Sequence, residues 1–124
     1  MSFEKPLLVQ SLESAVDLTN VGQYRAVKDD GTGKMVLAGA GELVIGVCQN
    51  NPGTGQTGTY MSEGVSKMVC AGSIAIGAKV ASDASGNATV AGSGDHPIGI
   101  ALEASGGSGE IIAVKLDITL TPLA

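Results

Sequence analysis

Residues 27–48 read VKDDGTGKMVLAGAGELVIGVC, and residues 80–101 read VASDASGNATVAGSGDHPIGIA. The second run repeats the first at a constant offset of 53 positions, with Val27/Val80, Asp30/Asp83, Gly33/Gly86, Ala38/Ala91, Gly39/Gly92, Gly41/Gly94, Ile45/Ile98 and Gly46/Gly99 identical. Glu42/Asp95 keep the charge and Val47/Ile100 keep the shape. Two copies are too few for a solenoid, whose units need several stacked neighbours, so the pattern predicts a duplicated β-motif inside one domain. The shared positions are turn glycines and aliphatics, residue types that shape a chain and do no chemistry.

The turns follow from local bonding. Asp29-Asp30-Gly31-Thr32-Gly33 and Asp83-Ala84-Ser85-Gly86-Asn87 each stand between two apolar runs. Asp bonds its own backbone and Gly takes positive φ, so both segments are predicted hairpin turns. A second shared turn, Gly39-Ala40-Gly41 and Gly92-Ser93-Gly94, leads into a strand opened by Glu42 or Asp95. There Ile45-Gly46-Val47 and Ile98-Gly99-Ile100 flank a glycine that marks a bulge, a barrel bend or a close neighbour. Asn20-Val21-Gly22 and Ala75-Ile76-Gly77 open the two copies, the first with two extra residues. Two glycine-rich loops, residues 50–58 and 105–109, differ between the copies and read as mobile tips.

Nineteen glycines punctuate short β-type runs, and no stretch keeps the three-four apolar spacing of a core helix. Strands are predicted at residues 24–28, 34–38, 43–49, 59–62, 67–70, 79–82, 88–91, 98–103 and 110–120. The fold class is therefore all-β: a compact single-domain barrel or sandwich built around the duplicated motif, two architectures with the same apolar alternation. That domain is residues 19–124, with repeats at about 20–72 and 75–120. Residues 1–18 stand outside the duplication and read as an extended N-terminal arm, since Pro6 blocks a helix, with one helical turn expected at 12–16. Its Leu7-Leu8-Val9 run makes sense on a partner's sheet edge, where an extended segment adds a strand.

Composition removes several classes of function. With one Phe, two Tyr and no Trp, the chain lacks the flat faces of sugar-stacking and base-stacking modules. The net charge is −5 and the seven basic residues are scattered, so direct nucleic-acid binding is not expected. No apolar run approaches the ~20 residues of a membrane span, and no basic start precedes a hydrophobic stretch, so neither membrane nor export is predicted. Folding in a reducing cytoplasm is expected. Cys48 and Cys70 lie in apolar runs without a neighbouring Cys or His, and read as small buried hydrophobes.

The chemical candidates each give way to a structural reading. His96 is the sole histidine, its sister position is Leu43, and no nucleophile and base pair up around it. Asp29, Asp30, Asp83 and Asp95 sit in turns, where carboxylates cap amides, and their spacing does not build a calcium loop. Gly31-Thr32-Gly33-Lys34 lacks the spacer, the hydroxyl and the helix of a phosphate loop. Lys34-Met35 matches a swinging-arm attachment hairpin weakly, and its sister is Asn87-Ala88. The chain is accordingly expected to be no enzyme, with no cofactor and no metal, and to act by binding.

Residues 75–116, AIGAKVASDASGNATVAGSGDHPIGIALEASGGSGEIIAVKL, resemble tailed-phage head decoration proteins, also called capsid cement proteins. The resemblance rests on Gly77, Val80, Asp83, Gly86, Gly94, Asp95, Pro97, Ile98, Gly99, Ile100, Ala101, Gly109, Ile112 and Val114. It implies a protein made in the bacterial host cytoplasm that binds the outer surface of the mature head as a homotrimer at local threefold axes. There it bridges capsomers of the major capsid protein and stabilises the shell. In related decoration proteins an N-terminal arm pairs with a capsid-protein strand, which here points to Phe3, Pro6, Leu7, Leu8 and Val9. A phage or bacterial surface or fibre module, binding a host ligand through the two glycine-rich loops, is the competing reading.

Overall fold

The computed structural model describes residues 5–123, with side chains from Val9 onward. Nine strands follow in order: β1 Lys5–Glu13, β2 Ala26–Asp29, β3 Met35–Leu37, β4 Gly46–Cys48, β5 Thr57–Val69, β6 Lys79–Ser82, β7 Ala88–Val90, β8 Gly99–Ala101 and β9 Ile111–Leu116. No helix occurs among the described residues. The strands form one antiparallel sheet in the order β3-β2-β4-β5-β9-β8-β6-β7, with β1 paired to β5, curled into a half-barrel. The all-β expectation holds, on the barrel side of the two architectures.

The sequence duplication is a duplication of register. Val27 pairs with Leu37 and Asp29 with Met35 across β2–β3, and Val80 pairs with Val90 and Ser82 with Ala88 across β6–β7. Ala26↔Val47 and Val27↔Gly46 recur as Lys79↔Ile100 and Val80↔Gly99. At each of these glycines one residue is extra. Val27 pairs with Gly46 while its carbonyl accepts from the Ile45 amide, and Val80 pairs with Gly99 while its carbonyl accepts from Ile98. This repeated bulge bends both strands and lets neighbouring backbone press against the glycine. A Cβ on Gly46 would meet the Met61 carbonyl oxygen at 2.5 Å, and one on Gly99 would collide with the Lys115 carbonyl oxygen.

β5 joins the two copies. Tyr60 and Met61 pair with β4 and β1, whereas Gly64 and Val65 pair with β9 and β1. Thus β4 and β9 leave the same edge of β5 on either side of Ser62 and Glu63, where the β1 register also shifts. In this geometry β1 stands to the first half of β5 as the second half of β5 stands to β9, so by register Leu12 counts with the first copy and Met68 with the second. Two elements predicted separately, 59–62 and 67–70, are one strand, and Leu12 and Glu13 end β1 where a helical turn was expected. The closing strand stops at Leu116.

Two clusters fill the fold. The larger holds Ala26, Val47 and Met61 from the first copy with Met68, Val80, Ile98, Ala101, Ile112 and Val114 from the second. The smaller holds Leu18, Val27, Met35 and Cys48, with Leu12, Ile45 and Tyr60 packed half-buried against it. Backbone bonds tie the copies together beyond the sheet, among them Ala26 N to Gly86 O (2.7 Å), Gly41 N to Ser82 O (2.9 Å), Val69 N to Tyr24 O (3.0 Å) and His96 N to Gly41 O (3.0 Å).

Candidate functional site

The carboxylates that looked like candidate chemistry act as turn caps. Asp30 Oδ1 accepts from the amides of Thr32 (2.8 Å) and Lys34 (3.3 Å), and Asp83 Oδ1 accepts from Ser85 and Asn87, both at 2.8 Å. Asp29 accepts from Gly31 and Gly33, and Asp95 from Gly92. Glu42 receives the Gly39 amide at 2.6 Å and the Lys28 ammonium at 2.8 Å. Bonding to Lys28, and then to Gly39, holds its carboxyl below the usual range. The Thr32 hydroxyl and amide lower Asp30 in the same way.

The remaining chemical candidates are likewise tied into the fold. His96 is half-buried, and its Nδ1 lies 3.1 Å from the Gly41 carbonyl oxygen. Both cysteines are free and buried, and burial pushes their thiols up, which keeps them protonated and unreactive. Lys34 pairs with Glu13 at 3.2 Å. Among the described residues no group of three or more His, Cys, Asp or Glu is placed to hold a metal ion. The glycine-rich loop 50–58 is fastened down: Leu18 N donates to Pro52 O, Ser14 N to Gln56 O, and Gly53 N to the Gln56 side chain. In the other loop, Ser105 exchanges both backbone bonds with Ile74.

One surface open to a partner runs along β1. Among the described residues β1 pairs with β5 alone, so its opposite edge offers a nine-residue strand, on which Val9 is 46% exposed. Of the arm residues expected to bind, Phe3 lies outside the described residues. Pro6, Leu7 and Leu8 are described by backbone only, within β1. Pro6 and Leu8 pair with Gly64 and Glu63. Those two residues also line a cleft of about 470 Å³ where β4 and β9 separate along β5, together with Ser62, Val65, Lys115 and Leu116. Among the described residues the buried Ser62 hydroxyl has no hydrogen-bond partner. This cleft is absent from the sequence reading, although Glu63-Gly64 inside an apolar run carried a signal: Gly64 has φ +113° at the divergence.

Fold and surface define a class: among the described residues, a strand-only, duplicated half-barrel whose polar side chains hold turns and whose β1 pairs on one edge alone. Residues 13–116 match the family described as phage cement protein, and the chain belongs to that family, one of structural phage head proteins and not of enzymes. Among solved structures, the fold is similar to the N base of the head fiber gp8.5 in bacteriophage phi29. The TM-score is 0.71 at 13% identity, covering 92% of this chain and 98% of that one. No curated protein sequence matches the chain.

Proposed function

We propose that this protein decorates the outer surface of the mature phage head as a homotrimer, bridges neighbouring capsomers and thereby stabilises the shell. The observation that carries the reading is the open β1 edge beside the β5–β9 cleft, in a chain of the phage cement family. A strand of the major capsid protein adds to that edge through main-chain bonds, and Pro6, Leu7, Leu8 and Val9, with Phe3 ahead of them, supply the apolar contacts. Repetition of modest contacts by trimer symmetry turns weak affinity per site into firm retention. The net charge of −5 keeps a densely covered particle soluble.

Co-sedimentation with expanded empty capsids tests this. Stoichiometric binding is expected for the full chain, and its loss on deleting residues 1–10 or on Val9→Asp, which leaves β1 in place. Unchanged binding by both variants would refute the role of the edge. Binding of host-cell material through the loops 50–58 and 105–109, without capsid binding, would instead favour the fibre-module reading.

A further inference from the structure

The two copies are used asymmetrically. Ala26, Val47 and Met61 of the first copy are 0–2% exposed because they face the second copy within the larger core. By register their sisters are Lys79, Ile100 and Lys115, all exposed, with Ile100 at 37%. The converse holds on the other side of the sheet. Met68, Ile98 and Val114 of the second copy are fully buried in that core, and His96 beside them donates its amide to Gly41. Their first-copy sisters Leu12, Ile45 and Tyr60 are half-buried, and Leu43 is 37% exposed. Inside one chain, then, an outward face of copy one is seated on an inward face of copy two. One seat, on copy one and partly filled by Leu18 and Met35, and one outward face, on copy two and partly edged by the C-terminal tail, are left incompletely covered.

We infer that the seat formed by Leu12, Leu43, Ile45 and Tyr60 receives the Lys79–Ile100 face of a second copy of this chain, repeating between molecules the contact already made within each. The inference rests on the homotrimer reading and names the surfaces that build it. Charge supports this occupant over any other. Within the chain Ala26 bonds Gly86 in the turn Asp83–Asn87, so in the repeated contact Lys79 comes to the turn holding Asp29 and Asp30. Lysine stands where the partner turn is doubly acidic, and alanine where the turn carries one aspartate. The C-terminal tail takes one place in this scheme for itself: Leu123 accepts from Gly94 N (2.7 Å) as Ser82 accepts from Gly41 N, so a second copy meets the rest of the face, where Lys79 and Ile100 line a cleft of about 290 Å³ beside the tail. A contact between unlike faces propagates until rotation closes it, and a closed ring of three is the expected product.

Sedimentation velocity on the full chain and three exposed-site variants tests the assignment. Leu43→Asp, which spoils the seat, and Ile100→Asp, which spoils the opposite face, should each lower association by about a hundredfold with unchanged circular dichroism. Mixed together they should form a 1:1 dimer, because each retains the face the other lacks. Lys79→Glu should weaken association by about tenfold, with the deficit smaller at high salt. A trimeric wild type whose variants all stay trimeric, or a mixture that stays monomeric, overturns the assignment of faces. A wild type monomeric at every concentration overturns the trimer reading itself.

Discussion

Replacing Gly99 by Ala tests the repeated bulge most directly. Its Cβ would collide with the Lys115 carbonyl oxygen and stand 2.9 Å from the Lys115 carbonyl carbon and 3.1 Å from Leu116 Cα, all backbone atoms of a paired strand. Real Cβ contacts do not come this close, and no side-chain rotation relieves the overlap, so β8 and β9 must part by several tenths of an ångström. Overpacking of this kind costs roughly 1–3 kcal/mol, and the upper half of that range applies because backbone must give way. In a domain of this size the melting temperature should fall by about 6–15 °C. Gly72→Ala is the control. Nothing lies within 4 Å of its Cβ and its φ is not positive, so lower entropy of the unfolded chain should leave stability unchanged or raised by up to about 1 kcal/mol. Urea denaturation of both variants decides the matter. A Gly99→Ala loss below about 0.5 kcal/mol, or equal losses in both, would refute the close-approach argument.

Three further outcomes follow from the site geometry. Glu42 has a depressed folded pKa, so the stability it adds is present above its unfolded value of ~4.3 and lost as pH falls through the folded one. Being partly exposed, the Lys28 pair is worth under about 1 kcal/mol, and the gap between wild type and Glu42→Gln in pH-dependent melts should close in acid. Cys48 and Cys70 have raised folded pKa values. The preference for buried thiol is fully present below the unfolded value of ~8.5 and erodes above it, so alkaline melts should drop less in a Cys48→Ala, Cys70→Ala double variant. Asp83→Ala removes the acceptor of two turn amides and should cost about 1–2 kcal/mol by chemical denaturation, with hydrogen exchange accelerated first at Ser85 and Asn87.

What the sequence made legible was the chemistry that is local. Asp30 and Asp83, with glycines nearby in each hairpin, specify the turn from within five residues, and the register of β2–β3 and β6–β7 follows from the turn. Gly46 and Gly99 marked a bulge, a barrel bend or a close neighbour because a glycine between two aliphatics has no side chain to offer the core, and the structure shows a bulge with close backbone at each. β5 was not legible as one strand. Thr57–Val69 contains Gly58, Gly64, Ser62 and Ser66, which break apolar alternation, and its continuity comes from three strands pairing along it. The cleft was hidden for the same reason, since it exists only where β4 and β9 separate.

The asymmetry of the copies lay in the positions where the repeat fails. A duplication leaves two faces that were once equivalent, and folding places only one of each kind inside. Ala26 and Met61 are apolar because they are buried, while Lys79 and Lys115 occupy the same strand positions and remain in water. An unmodified second copy would have offered an alanine and a methionine to any passing molecule, inviting unlimited stacking. Lysine at those positions admits only a neighbour with acid to meet it, and the tail bond to Gly94 satisfies the amide an extra copy would have used. In the proposed contact the same two lysines would limit stacking, and Lys79 would single out the Asp29–Asp30 turn of another copy. A Lys79→Ala, Lys115→Met chain, restored to the apolar pattern of the first copy, should form larger, polydisperse assemblies in sedimentation velocity. If it instead sediments like the wild type, the charges play no part in limiting association.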